Sequence, residues 1–287
     1  MIYPISSRTF ANPLQVEVLQ NISAAFCRME KEFIVIGAAS RDILCLYLET
    51  TPAPRKTRDL DIAIAIDSWD DYDTISHFLQ DTGFRKDPHR KQRFYFGTHP
   101  AEYEIDIVPF GGVSNTDEKI YWPPEESPMM SVKGFASVLK DCVDVVVDDA
   151  FSFKIPSAPA FFVLKFDAWL DRHLKNDKDA QDMSFVLSNY YIHEITEGHH
   201  IDVVDILDGR FDPYVAGAYM IATDIADLLS AQEIKSYAED IENELKKAEQ
   251  SKLLTQCMTP TCGYDIVFKA WRMIADVFNK KIGHEGS

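Results

Sequence analysis

The run LDIAIAI at 60–66 alternates with a period of two and is dominated by β-branched and small residues, so it reads as a buried strand. Carrying the alternation back one residue puts Asp59 and Asp61 on one face of that strand and Leu60 on the other. YEIDIVPF at 103–110 repeats the pattern, with Asp106 facing away from Ile105 and Ile107. A sheet with carboxylates on one face follows, and a neighbouring strand could bring Asp106 beside the other pair. Three hard oxygen ligands suit Mg²⁺, and three like charges are costly to hold together without a cation. The usual work of such a cluster is two-metal activation of a hydroxyl with stabilisation of a leaving phosphate. If the strands do not meet, each aspartate is a solvated strand-edge residue.

The rest of the first half supplies the partners of these strands. Residues 12–31 carry apolar positions at helical spacing, and FIVIG (33–37) is a short strand ended by glycine. SRDILCLYLE (40–49) predicts a helix, as does DSWDDYDTISHFLQ (67–80) with Asp67 as its N-cap. RFYFGT (93–98) reads as a strand joined to 103–110 by a short turn around His99 and Pro100. The proline-rich KIYWPPEESPMM (119–130) reads as an exposed loop, and VDVVVDDAFSFKIP (143–156) as a hairpin returning to the sheet. From 157 onward the pattern turns to long helices. The expected fold class is therefore α+β: a mixed sheet flanked by helices over 1–156, followed by an α-helical domain over 157–287.

Hydrophobic residues at 46% and charged residues at 26% are ordinary for a folded chain of 287 residues. A formal charge of −17 opposes broad attraction to nucleic acid, so any RNA contact must use a local patch. The basic run RKDPHRKQR (85–93) is either a solvated loop or that patch, and Phe94, Tyr95 and Phe96 beside it are either core or stacking residues. The start lacks a signal-like h-region and no run reaches bilayer length, which predicts a cytoplasmic protein without membrane contact. Five scattered cysteines predict reduced, buried thiols, and His199 and His200 mark a turn.

GAASRDIL (37–44), followed by TPAPRKTR, RDLDIAI and IDIVPF, resembles the signature of the DNA polymerase β-like nucleotidyltransferases, over roughly residues 33–110. The resemblance implies a nucleoside triphosphate such as ATP as substrate, held by a phosphate turn at Gly37, Ala38 and Ser40, and Mg²⁺ or Mn²⁺ bound by Asp59, Asp61 and Asp106. Ala38 stands where that family usually has a second glycine or a serine. A helix N-terminus there is in any case a suitable anion site. Arg41 and Asp42 resemble the Arg-Asp of tRNA CCA-adding enzymes, or else pin the helix to the sheet.

In PAFFVLKFDAWLDR, Lys165 emerges from an apolar helical face, with Phe161, Phe162, Ala168 and Trp169 one turn away. A lysine so placed either snorkels to solvent or faces a nucleotide cleft as a point charge. A lysine in one helix followed by KDAQD in the next resembles the helical half of AbiEii-like nucleotidyltransferases, toxins of type IV toxin–antitoxin systems, over about 160–190. That resemblance implies that Lys165 contacts nucleotide and that Asp182, or alternatively Asp179, completes the site. It also implies an RNA or tRNA 3′ end as acceptor and an antitoxin protein as partner. A small molecule such as an aminoglycoside or a protein hydroxyl fits the acidic surface as acceptor too. A reading of another class is a catalytically silent fold that binds a nucleotide or a protein.

Overall fold

The computed structural model describes residues 2–48, 59–98, 101–138, 140–199 and 211–285. They fall into two compact units, the first ending at Ser157 and the second made of Ala158 onward together with Leu48. The segment TPAPRKTR, His99, Pro100 and His200 lie outside the described residues.

In chain order the first unit consists of β1 (Ile2–Ile5), α1 (Pro13–Arg28), β2 (Ile34–Ile36), α2 (Gly37–Tyr47), β3 (Asp59–Ile66), α3 (Trp69–Asp81) and β4 (Arg85–Lys86). It continues with β5 (Arg93–Thr98), β6 (Ala101–Gly111), β7 (Lys119–Tyr121), β8 (Met129–Ser131), α4 (Phe135–Val138), β9 (Cys142–Val147) and β10 (Phe151–Pro156). One mixed sheet takes the order β1-β9-β10-β2-β3-β6-β5-β4, and β7 pairs with β8 apart from it. At its centre β3 runs antiparallel to β2 and parallel to β6, while β6 runs antiparallel to β5. Leu60, Ile62, Ile105 and Ile107 turn to a buried face and join Leu19, Ile22 and Phe26 of α1 and Ile75 and Leu79 of α3 in one apolar core. Burying side chains of this size contributes about 1.5–3 kcal/mol each, and it leaves the alternate positions of β3 and β6 on the other face.

Two local expectations are corrected. Ser68, not Asp67, caps α3: its hydroxyl accepts from the N–H of Asp71, and the Asp71 carboxylate accepts from the N–H groups of Ser68 and Asp67. Ser68 and Asp71 close a capping box, and the same Asp71 carboxylate also takes up the N–H of Asp67. The segment 119–130 is not simply an exposed loop, because β7 and β8 form a hairpin that buries Ile120 and Trp122. Trp122 packs on Trp69 at 5.0 Å and Tyr72 at 4.9 Å between ring centroids, which draws the hairpin onto α3.

The second unit is helical: α5 (Ala158–Arg172), α6 (Lys178–Thr196), α7 (Pro213–Leu228), α8 (Ala231–Lys246), α9 (Lys252–Gln256) and α10 (Tyr264–Glu285). Asp212 caps α7, with Pro213 in its first turn, and Ser230 and Glu233 form a capping box on α8. Phe166, Trp169, Tyr237 and Trp271 form its aromatic centre. At Gly217 a Cβ would lie 2.3 Å from the carbonyl oxygen of Leu187, so only glycine lets α7 approach α6 this closely. A mixed sheet flanked by helices and followed by a helical unit is the α+β architecture expected from the sequence.

Cys45, Cys257 and Cys262 are buried thiols as expected, whereas Cys27 is exposed. Burial pushes the Cys257 thiol up to about 12, out of the reactive range. Among the described residues no helix is long and apolar enough to cross a membrane.

Candidate active site

Strand register sets the site. Asp61 of β3 is paired with Ile36 of β2 on one side and Asp106 of β6 on the other, and Asp106 is paired with Arg93 of β5. One line across the sheet therefore reads Ile36, Asp61, Asp106, Arg93. Two residues earlier, Asp59 is paired with Glu104, so Asp59, Asp61, Glu104 and Asp106 share the face opposite the apolar core.

The chain turns immediately after Ile36. Gly37 has φ +68°, a left-handed conformation that costs other residues roughly 1–2 kcal/mol, and it opens α2. A Cβ there would lie 2.2 Å from Oδ2 of Asp61, so the turn and the carboxylate are in direct apposition. The first N–H groups of a helix lack intrahelical acceptors and here belong to Gly37, Ala38, Ala39 and Ser40. The Ser40 hydroxyl is buried and donates back to the Gly37 carbonyl at 3.0 Å, so it braces the turn. Arg41 is 2% exposed and donates from Nη1 to Asp42 Oδ1 at 3.1 Å, a contact within α2.

Asp106 is held by Arg93 through a two-pronged contact, Nε to Oδ1 and Nη2 to Oδ2, both 2.7 Å, while Nη1 of Arg93 bonds Glu104. The guanidinium pKa rises, first because of its hydrogen bond to Asp106. The negative field reaches further: burial first, then the charges of Asp59, Asp42 and Asp61, push the Tyr103 phenol well above its usual 10. In the sequence Arg93 is both the end of the basic run 85–93 and the start of the strand 93–98. Of the other basic residues in that run, Arg85 pairs with Glu102 and stacks on Tyr95, Lys86 lies over the Tyr72 and Phe94 rings, Lys91 pairs with Glu125, and Arg90 is exposed. Phe94 belongs to the core, and Tyr95 donates to Asp87 at 2.7 Å.

Asp59, Asp61 and Asp106 are hard oxygen donors on one face, which fits Mg²⁺ or Mn²⁺ in kind and in register. Among the described residues, however, no three acidic, histidine or cysteine side chains are gathered tightly enough to hold an ion.

In the second unit Lys165 is 9% exposed and neither snorkels nor stands alone. Its ammonium contacts Asp182 Oδ2 at 2.8 Å and Asp179 Oδ1 at 3.5 Å, 5.2 Å from the centre of the Phe161 ring. Arg172 adds two contacts to Asp179, at 2.7 and 2.8 Å. Burial pushes the Asp179 carboxyl up, and Arg172 and Lys165 outweigh it, leaving the group below its usual range. The structure thus joins Lys165 with both aspartates that the sequence singled out. His199, after α6, pairs with Glu194 at 2.6 Å.

No family model and no curated protein matches the chain. Among solved structures it is similar to an antigenic nucleotidyltransferase-like protein from Paracoccidioides brasiliensis (15% identity, TM-score 0.39, covering 58% of this chain and 72% of that one). It is also similar to ANT(2″)-Ia in complex with adenylyl-2″-tobramycin (13% identity, TM-score 0.38, 68% of this chain and 94% of that one). JHP933 from Helicobacter pylori is similar over 94% of this chain and 92% of its own, at 14% identity and TM-score 0.36.

Proposed function

We propose that the chain is a divalent-metal-dependent nucleotidyltransferase that moves a nucleoside monophosphate from a triphosphate to an acceptor hydroxyl. The observation that carries this reading is the line Gly37, Asp61, Asp106: a glycine turn at a helix N-terminus set against one carboxylate, with a second in register beside it. In this reading Asp59, Asp61 and Asp106 hold Mg²⁺ or Mn²⁺, which supplies activation of the acceptor hydroxyl and charge neutralisation at the leaving pyrophosphate. The backbone N–H groups of Gly37 and Ala38 receive the triphosphate, with Ser40 bracing the turn from within. The AbiEii-like resemblance implies a nucleotide contact for Lys165 as well; within the helical unit Asp182 and Asp179 hold its ammonium. The acceptor that the AbiEii-like resemblance implies is an RNA or tRNA 3′ end, with an antitoxin protein as regulator. Within the basic run, Arg85, Lys91 and Arg93 are paired with acids, and Arg90 is exposed.

The test is incubation of the protein with Mg²⁺, each labelled nucleoside triphosphate, and a panel of RNAs, proteins and small hydroxyl compounds. Label transfer to one acceptor class with release of pyrophosphate is expected. Nucleotide-dependent thermal stabilisation without transfer to any acceptor would instead favour the silent binding fold.

A further inference from the structure

Resting on the metal-binding reading of Asp59, Asp61 and Asp106, we infer that Arg93 is a built-in counter-cation that holds Asp106 away from Asp61, and that a divalent ion must displace it to bind. The geometry makes the two roles of Asp106 exclusive. Asp61 stands on one side of it and Arg93 on the other, each on the adjoining strand at a spacing of roughly 4.8 Å. The Arg93 fork engages both carboxylate oxygens at 2.7 Å, which fixes the plane of the group and turns it toward β5. An ion shared with Asp61 needs the same oxygens turned toward β3.

The surroundings strengthen the contact. The Arg93 side chain is 11% exposed and that of Asp106 16%, so solvent screens the pair little. Asp61 and Asp106 stand opposite each other on adjoining strands, and Arg93 offsets the charge of Asp106 while its remaining nitrogen engages Glu104. A carboxylate turned toward β5 also fits the finding that no trio is gathered among the described residues. Arg93 is a positioning residue in this account, acting on the ion through Asp106.

The experiment is a Mn²⁺ titration of the full chain without nucleotide, read by the electron paramagnetic resonance of the free ion, for wild type, Arg93→Gln, Arg93→Lys and Asp106→Asn/Arg93→Gln. Melting temperatures confirm that each is folded, and Arg93→Lys serves if the glutamine variant is not. Freeing Asp106 from a charge-assisted contact predicts Mn²⁺ binding about tenfold tighter in Arg93→Gln. Arg93→Lys, which keeps the charge and loses the fork, is expected between that variant and wild type, and the gain should vanish when Asp106 is Asn. Mn²⁺ binding by wild type with equal or weaker binding by Arg93→Gln would overturn the displacement and leave the metal site standing. Tighter binding by Arg93→Gln with Arg93→Lys equal to wild type would overturn it in favour of long-range charge. Absence of binding in both wild type and Arg93→Gln would overturn the metal reading as well.

Discussion

A methyl group on Gly37 would sit 2.2 Å from Oδ2 of Asp61, so the backbone turn and the carboxylate are built as one unit. Gly37→Ala is expected to impose left-handed strain at φ +68° of about 1–2 kcal/mol and to push Asp61 off its position. That strain corresponds to a loss of roughly 2–8 °C in melting temperature. Thermal unfolding and a Mn²⁺ titration check both effects, and a variant equal to wild type in each would show that the turn has room to move.

The buried ion pair of the helical unit predicts a stability effect. Lys165→Met leaves the buried Asp182 carboxylate without its ammonium at 2.8 Å, a loss expected to cost about 3–5 kcal/mol. Adding Asp182→Asn should recover part of it by removing the orphaned charge. Arg172→Ala should cost less, because its side chain is half exposed and water can replace it. Urea unfolding midpoints of the variants decide the order.

Asp87 gives a pH dependence. Its carboxylate accepts from the N–H of His89, from Tyr95 and from the N–H of Arg90, which lowers its pKa from the ordinary 3.8 to about 2. The folded state thus favours the charged form: its stabilisation is complete above pH 3.8 and is lost as pH falls from there through about 2. The stability difference between wild type and Asp87→Asn should shrink over that window. A constant difference across it would show that these hydrogen bonds do not survive in solution.

Much of this arrangement was legible in the sequence because it rests on periodicity. The alternation around Asp59, Asp61 and Asp106 fixed which face each occupies, and helical spacing singled out Lys165, Asp179 and Asp182. Arg93 was missed because its role depends on register. Antiparallel pairing of β5 with β6 makes paired positions add to a constant, which sets Arg93 opposite Asp106. The expected strands, 93–98 and 103–110, leave that constant open, because β6 begins two residues earlier, at Ala101. Trp122 was missed for another reason: prolines around it signal a loop, whereas tertiary packing on Trp69 and Tyr72 decides its burial. The inward placement of Ser40 was hidden too, since a serine in the first turn of a helix can serve a ligand or its own backbone equally well.

The central claim is that Asp61 works in nucleotidyl transfer and is not a structural residue. Its most direct test compares transfer of labelled nucleoside monophosphate by wild type and Asp61→Asn, with Mg²⁺ present and across the acceptor panel. Melting temperatures are recorded alongside. The account predicts transfer by wild type, a loss on the order of 10²-fold or more in the variant, and a melting temperature unchanged or raised, because one of several clustered negative charges is removed. Equal transfer by both proteins would contradict it.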